Sequence, residues 1–194
     1  ISNGSCALSV DAVVLRNDVL PVADAYEAGA TTVFNVCGLL SYTSDANVST
    51  GTGTWSKTSG PGVLSFATNA NDPDQVLSVS SYGTYVLRWT YVNLTCSVFN
   101  EITVNFYQTP TVAAAGSDIF QCNTSTFTLS GNSATVGTGQ WFQTLGPAVT
   151  ITDSFNATTT VTGLAAGAGA VTLEWRISNG SCALSVDAVV LRND

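Results

Sequence analysis

"VTLEWRISNGSCALSVDAVVLRND" runs from Val171 to Asp194, and its first eight letters alternate. Val171, Leu173, Trp175 and Ile177 fall on one face, and Thr172, Glu174, Arg176 and Ser178 on the other. A period of two is a strand with one face on a core and one in water. Asn179-Gly180 follows. That dipeptide predicts a tight hairpin, because Gly takes positive φ without steric cost and Asn does so better than most residues. "ALSVDAVVLR" then reads as the returning strand. Upstream, "STFTLSG", "GQWFQTLG", "AVTITDS" and "TTTVTGL" recur at short intervals between turn residues. The pattern predicts an all-β sandwich of about seven strands in roughly 85 residues.

The same pattern occurs twice. Trp55 falls on Trp141, Gly60 on Gly146, Pro61 on Pro147, Trp89 on Trp175 and Cys96 on Cys182, all at a shift of 86. Cys37 falls on Cys122 at a shift of 85, a difference that a loop absorbs. Two diverged copies of one domain are expected, at 19–108 and 109–194. Trp55, Trp89, Trp141 and Trp175 recur on central strands, which assigns them to core packing rather than to an exposed sugar platform. A second repetition has another period. Ile1–Asp18 is identical to Ile177–Asp194, at a shift of 176. Residues 1–18 therefore read as the C-terminal hairpin of a preceding repeat. The simplest account is a linear array with a two-domain unit, in which Asp194 would be followed by a new Val19.

Composition excludes several kinds of function. The 194 residues are 45% hydrophobic and only 9% charged, with a net charge of −8. Five Lys and Arg cannot build the basic face that nucleic acid requires. No apolar run approaches the ~20 residues of a membrane-spanning helix, so no membrane insertion is expected. The chain has no His, which removes Ser-His and Cys-His catalysis, and no cofactor motif is present. An enzyme is not expected. Asp72 and Asp74 in "NDPDQ" could supply two calcium ligands, but such a site wants six or more oxygens. Asn3, Asn47, Asn93, Asn123, Asn156 and Asn179 fit the N-glycosylation acceptor pattern, which a Ser/Thr-rich chain also produces by chance.

The five cysteines lack the C-x2-C spacing of zinc sites. The repeat predicts one bridge per domain, Cys37 with Cys96 and Cys122 with Cys182. Cys6, the equivalent of Cys182, would pair with a cysteine outside this sequence. Such bridges place the protein outside the cytosol. Each would close a loop of about 60 residues, worth roughly 4 kcal/mol. Each would also keep most of its domain from lengthening under tension.

The markers G-T-G-x-W, G-P, V-T-G-L, x-W-x-x-x-N-G-x-C and D-x-V-V resemble the immunoglobulin-like and PKD-like tandem repeats of giant Bacteroidota surface proteins. Among such repeats they resemble those of SprB-like gliding adhesins. The match covers both domains and the terminal fragment. The first repeat departs from it: Val79-Ser80-Ser81 replaces V-T-G-L, and Asn93-Leu94 replaces N-G. The resemblance implies type IX secretion, a cell-surface filament with neighbouring repeats as its partners, and substratum or polysaccharide contact through other regions. It also implies an O-glycan acceptor at Ser154, within Asp153-Ser154-Phe155. Two other readings stay open: a homopolymer of separate subunits that exchange end strands, and a carbohydrate-binding or spacer module of a secreted protein.

Overall fold

A computed structural model describes residues 4, 10–26, 29 and 31–194, which include fourteen strands. The first seven are β1 (Val33–Cys37), β2 (Ser41–Thr43), β3 (Thr52–Ser59), β4 (Leu64–Phe66), β5 (Val76–Val79), β6 (Gly83–Asn93) and β7 (Cys96–Tyr107). They form one sheet in the order β1-β7-β6-β3 and a second in the order β2-β5-β4. The other seven are β8 (Ile119–Gln121), β9 (Thr126–Thr128), β10 (Thr138–Leu145), β11 (Thr150–Ile151), β12 (Thr160–Thr162), β13 (Ala170–Ser178) and β14 (Ser185–Asn193). Their sheets run β8-β14-β13-β10 and β9-β12-β11, the same topology. Every pairing is antiparallel except β1 with β7 and β8 with β14, which are parallel.

Alternation places the core. On β13 the side chains of Val171, Leu173, Trp175 and Ile177 are buried, and on β6 those of Tyr85, Leu87, Trp89 and Tyr91. Trp55 stands directly opposite Trp89 in the ladder, and Trp141 opposite Trp175. The indole centroids lie 5.2 Å apart in the first pair and 5.0 Å in the second, both tilted. All four rings are 2% exposed or less. Close approach explains a glycine beside each pair. A Cβ at Gly53 would overlap the Trp89 ring, and one at Gly139 the Trp175 ring.

Each repeat uses the same two fastenings. The ladder shifts register between Lys57 and Ser59, and again between Gln143 and Leu145. At the first bulge, Lys57 Nζ donates to the carbonyls of Gly60 and Gly62. At the second, Gln143 Nε2 donates to those of Gly146 and Pro147. The leader segment of each sandwich is held by one asparagine. Asn47 accepts from Asp24 N (2.7 Å) and donates to Val22 O (3.0 Å), while Asn132 accepts from Ala114 N (2.8 Å) and donates to Val112 O (2.9 Å). The backbone carbonyl of each accepts a bond from a core indole, Trp89 or Trp175.

The two hairpins reverse the expectation from sequence. The Asn179-Gly180 connection is not tight: β13 ends at Ser178 and β14 begins at Ser185. The first repeat has the two-residue turn, Leu94-Thr95, with Leu94 at φ 57°. In the second, Gly180 is claimed by packing across the domain joint. The terminal duplication shows a further divergence. Ser185–Asn193 is a strand, whereas the same letters between Val10 and Asn17 form none. Val13 and Leu15 are 83% and 89% exposed, but their counterparts Val189 and Leu191 are 1% and 0%. β14 has β13 and β8 as neighbours; among the described residues, no strand pairs with the Val10–Asn17 copy. The rest of the expected 1–18 hairpin, including Cys6 and Asn3, lies outside the described residues.

Candidate functional site: the joint between the sandwiches

The disulfide joins Cys37 to Cys182, with Cα atoms 5.3 Å apart and a sequence separation of 145. It crosses from the first sandwich to the second. The expected bridges within each domain, Cys37–Cys96 and Cys122–Cys182, are not formed, and strand direction is the reason. β1 is parallel to β7, so Cys37 pairs with Tyr107 at the C-terminal end of β7, whereas Cys96 begins that strand. Eleven steps of strand is about 37 Å. A bridge requires Cα atoms within about 7 Å. The second sandwich repeats the geometry. Gln121, beside Cys122, pairs with Asn193 at the far end of β14, while Cys182 precedes its near end. Cys96 and Cys122 are thiols, the first half-buried and the second exposed.

Noncovalent contacts converge on the same place. Asn179 Nδ2 donates to Gln108 O at 2.7 Å, and Cys182 Sγ lies 3.6 Å from that oxygen. Gly180 packs so closely on the Tyr107 ring that any Cβ would overlap it. Its φ of 55° makes a side chain costly there as well. The linker then runs onto the second sandwich. Thr111 N donates to Val136 O (3.1 Å), Ala113 N to Ser185 Oγ (2.8 Å) and Ala115 N to Asp187 Oδ2 (2.7 Å). A linker with its polar groups committed in this way cannot hinge without breaking several bonds at once.

The remaining sequence candidates are spread apart. Asp72 accepts from Thr68 Oγ1 (2.8 Å) and from Asp74 N (3.2 Å), which makes it a turn-former. Among the described residues, no three His, Cys, Asp or Glu side chains come together as a metal cluster. Asn47 is buried and its amide is engaged on both sides, so it is not a glycan acceptor. Ser154 sits on the turn that Asp153 closes by accepting from Phe155 N, and the residue is half-buried. Beside it, Asp153, Phe155 and Asn156 rim an open concavity of about 510 Å³ whose floor reaches Trp175. On β2, burial pushes the Tyr42 hydroxyl up to about 12, with smaller contributions from Tyr26 and Asp45. Among the described residues, no helix is long and apolar enough to cross a membrane.

The sequence reading missed β1 and β8 and their parallel pairing. The alternation in "VFNVC" marks a strand, but nothing in it marks direction.

No protein-family model matches the chain, and no curated protein matches it. Tandem immunoglobulin domains are among its solved structural neighbours. Sidekick-1 immunoglobulin domains 1–4 align over 94% of this chain and 51% of theirs, with 12% identity and a TM-score of 0.56. Drosophila OTK extracellular domains 3–5 align over 84% of this chain and 60% of theirs, with 12% identity and a TM-score of 0.56. Murine CEACAM1b aligns over 82% of this chain and 96% of its own, with 15% identity and a TM-score of 0.52. The chain thus spans about half to three-fifths of the first two. At these identities the likeness concerns the fold. One internal feature agrees with it: Tyr85 near the start of β6 donates back to Ser81 O at 2.8 Å, in the manner of a tyrosine corner. Leu87, two residues on, stands where antibody domains carry their second bridge cysteine, so the core here is closed by tryptophans instead. The chain is all-β, two immunoglobulin-like sandwiches in tandem.

Proposed function

We propose that this chain is a structural repeat of a long cell-surface filament or adhesin stalk, whose work is to hold adjacent sandwiches in one fixed relation. The observation that carries this reading is the Cys37–Cys182 bridge across the joint. A bridge inside a domain stabilises that domain; a bridge between domains fixes their geometry. The exact 18-residue duplication supports an array of two-domain units, with repeats assigned to 19–108 and 109–194. Disulfide chemistry favours an extracellular setting. The resemblance to Bacteroidota repeats adds type IX secretion and a gliding or surface-attaching bacterium. Adhesion itself belongs to other regions, and no catalytic step is assigned to these residues. Ser154 remains the proposed O-glycan acceptor, to be checked by intact mass of native protein.

Force-extension measurement tests the reading. Pulled from its ends, the oxidised chain should lengthen only outside the bridge. Reductant should free the stretch that the bridge closes, a sequence separation of 145, an added extension of about 490 Å at ~3.4 Å per residue. Equal extension in both conditions would sink it.

One observation favours a second reading, strand exchange between separate subunits. Residues 1–18 and 177–194 are identical, as they would be if one copy completed the chain's own sandwich and the other a neighbour's. Native material on denaturing, reducing gels separates the two: a very long covalent chain supports the array, and a band near 20 kDa supports subunits.

A further inference from the structure

We infer that Cys122 and Cys96 are the two halves of a second joint disulfide. Cys122 would bond the hairpin cysteine of the following repeat, and Cys96 the Cys122-type cysteine of the preceding one. The inference rests on the array reading, and three features of the fold carry it.

Cys122 occupies the setting of Cys37. Gly38, after Cys37, has φ 72° and donates its N–H to Tyr107 O (2.8 Å) at the end of β7. Asn123, after Cys122, has φ 51° and donates to Asp194 O (3.0 Å) just past the end of β14. Both cysteines are exposed at the end of a sandwich from which the chain leaves toward its successor.

Cys96 occupies the setting of Cys182. Cys182 Sγ lies 3.6 Å from Gln108 O, and Asn179 Nδ2 donates to the same carbonyl. Cys96 Sγ lies 3.8 Å from Asp18 O, and Asn93 Nδ2 donates to Val19 O at 2.7 Å. Thr95 Oγ1 adds a bond to Asp18 Oδ2 at 3.0 Å. Asp18 and Gln108 are equivalent positions, the first residues past the last strand of a repeat. The hairpin of the first sandwich is therefore already seated on the exit of whatever repeat precedes it. The same seat in the second sandwich ends in a disulfide.

Both thiols are free in this chain because each one's partner would belong to another repeat. Bond formation consumes two thiols and releases two protons and two electrons; a disulfide oxidant such as oxidised glutathione accepts them and leaves as two thiols. The resulting bridges interlock. Cys37–Cys182 and Cys122 to the next Cys96 overlap along the chain, so every joint is stapled. The shortest covalent path along the array then uses only the 26 backbone steps from Cys96 to Cys122 in each unit. Much of that stretch is already extended in β7 and β8.

The test uses a four-domain chain made by joining residues 19–194 to a second copy of themselves. The new joint, Asp194 followed by Val19, reproduces the letters around Asp18-Val19 because Ile177–Asp194 and Ile1–Asp18 are identical. After oxidation by glutathione, monomeric chain is isolated, alkylated without reduction and digested with trypsin. The inference expects two alkylated thiols among the four at positions 96 and 122, and two copies of peptide 89–176 joined by one disulfide. Changing Cys122 of the first copy to Ser should free Cys96 of the second and leave tryptophan fluorescence unchanged. Small-angle scattering on the same sample separates the possible failures. Four alkylated thiols on a chain with fixed domain spacing overturn the second bridge alone. Four on a freely hinged chain overturn the array reading too.

Discussion

Single residues decide how tightly each sandwich closes. The Trp141–Trp175 pair leaves no room beside Gly139, so Gly139→Ala forces the indole to move. Overpacking of this kind costs about 1–3 kcal/mol. Chemical denaturation of the second sandwich should show it, and Gly53→Ala should do the same in the first. Tyr42 gives a pH signature. Its hydroxyl is held near 12 in the folded protein, against about 10 in an unfolded chain. Between those values the unfolded chain loses a proton that the folded one keeps, so stability falls as pH rises through that window. Tyr42→Phe, which installs the residue present at the equivalent Phe127, should make the alkaline loss of stability shallower without altering it at neutral pH. An unchanged alkaline profile would count against burial as the cause.

At the scale of elements, alternation was legible and direction was not. "VTLEWRIS" and "YVLRWTYV" announce which side chains face inward, because period two maps directly onto the faces of a strand. The parallel placement of β1 and β8 left no such mark, since a strand's pattern reads the same whichever way its neighbour runs. That one missing fact misassigned the bridges: with β1 antiparallel to β7, Cys37 would have met Cys96. Identical letters in two conformations make the same point. Ser185–Asn193 is a strand where β13 and β8 flank it, and Val10–Asn17, which no strand flanks among the described residues, is not. Strand formation here depends on neighbours more than on propensity. The Asn179-Gly180 turn was likewise redirected by the joint. The asparagine clamps are also invisible in sequence, because Asn is common in loops. Asn132→Ala removes the bonds that tie the exposed backbone of Val112 and Ala114 to the sandwich. A cost of about 0.5–1.5 kcal/mol per bond is expected, together with faster hydrogen exchange at residues 111–115. Exchange left unchanged would refute the clamp.

For the whole molecule, the central claim is that the disulfide belongs to the joint rather than to either domain. Trypsin is well suited to check it, because the chain has only five Lys and Arg. Cleavage leaves Cys37 in peptide 17–57, Cys96 and Cys122 together in 89–176, and Cys182 in 177–192. Peptides 1–16 and 177–192 have the same sequence, so the measurement is made on Cys6→Ser protein. Non-reducing mass spectrometry after thiol alkylation should find 17–57 bonded to 177–192, with 89–176 carrying two alkylated thiols. Peptide 89–176 bonded to both of the others, with no alkylated thiol, would mean one bridge inside each domain and would contradict the account.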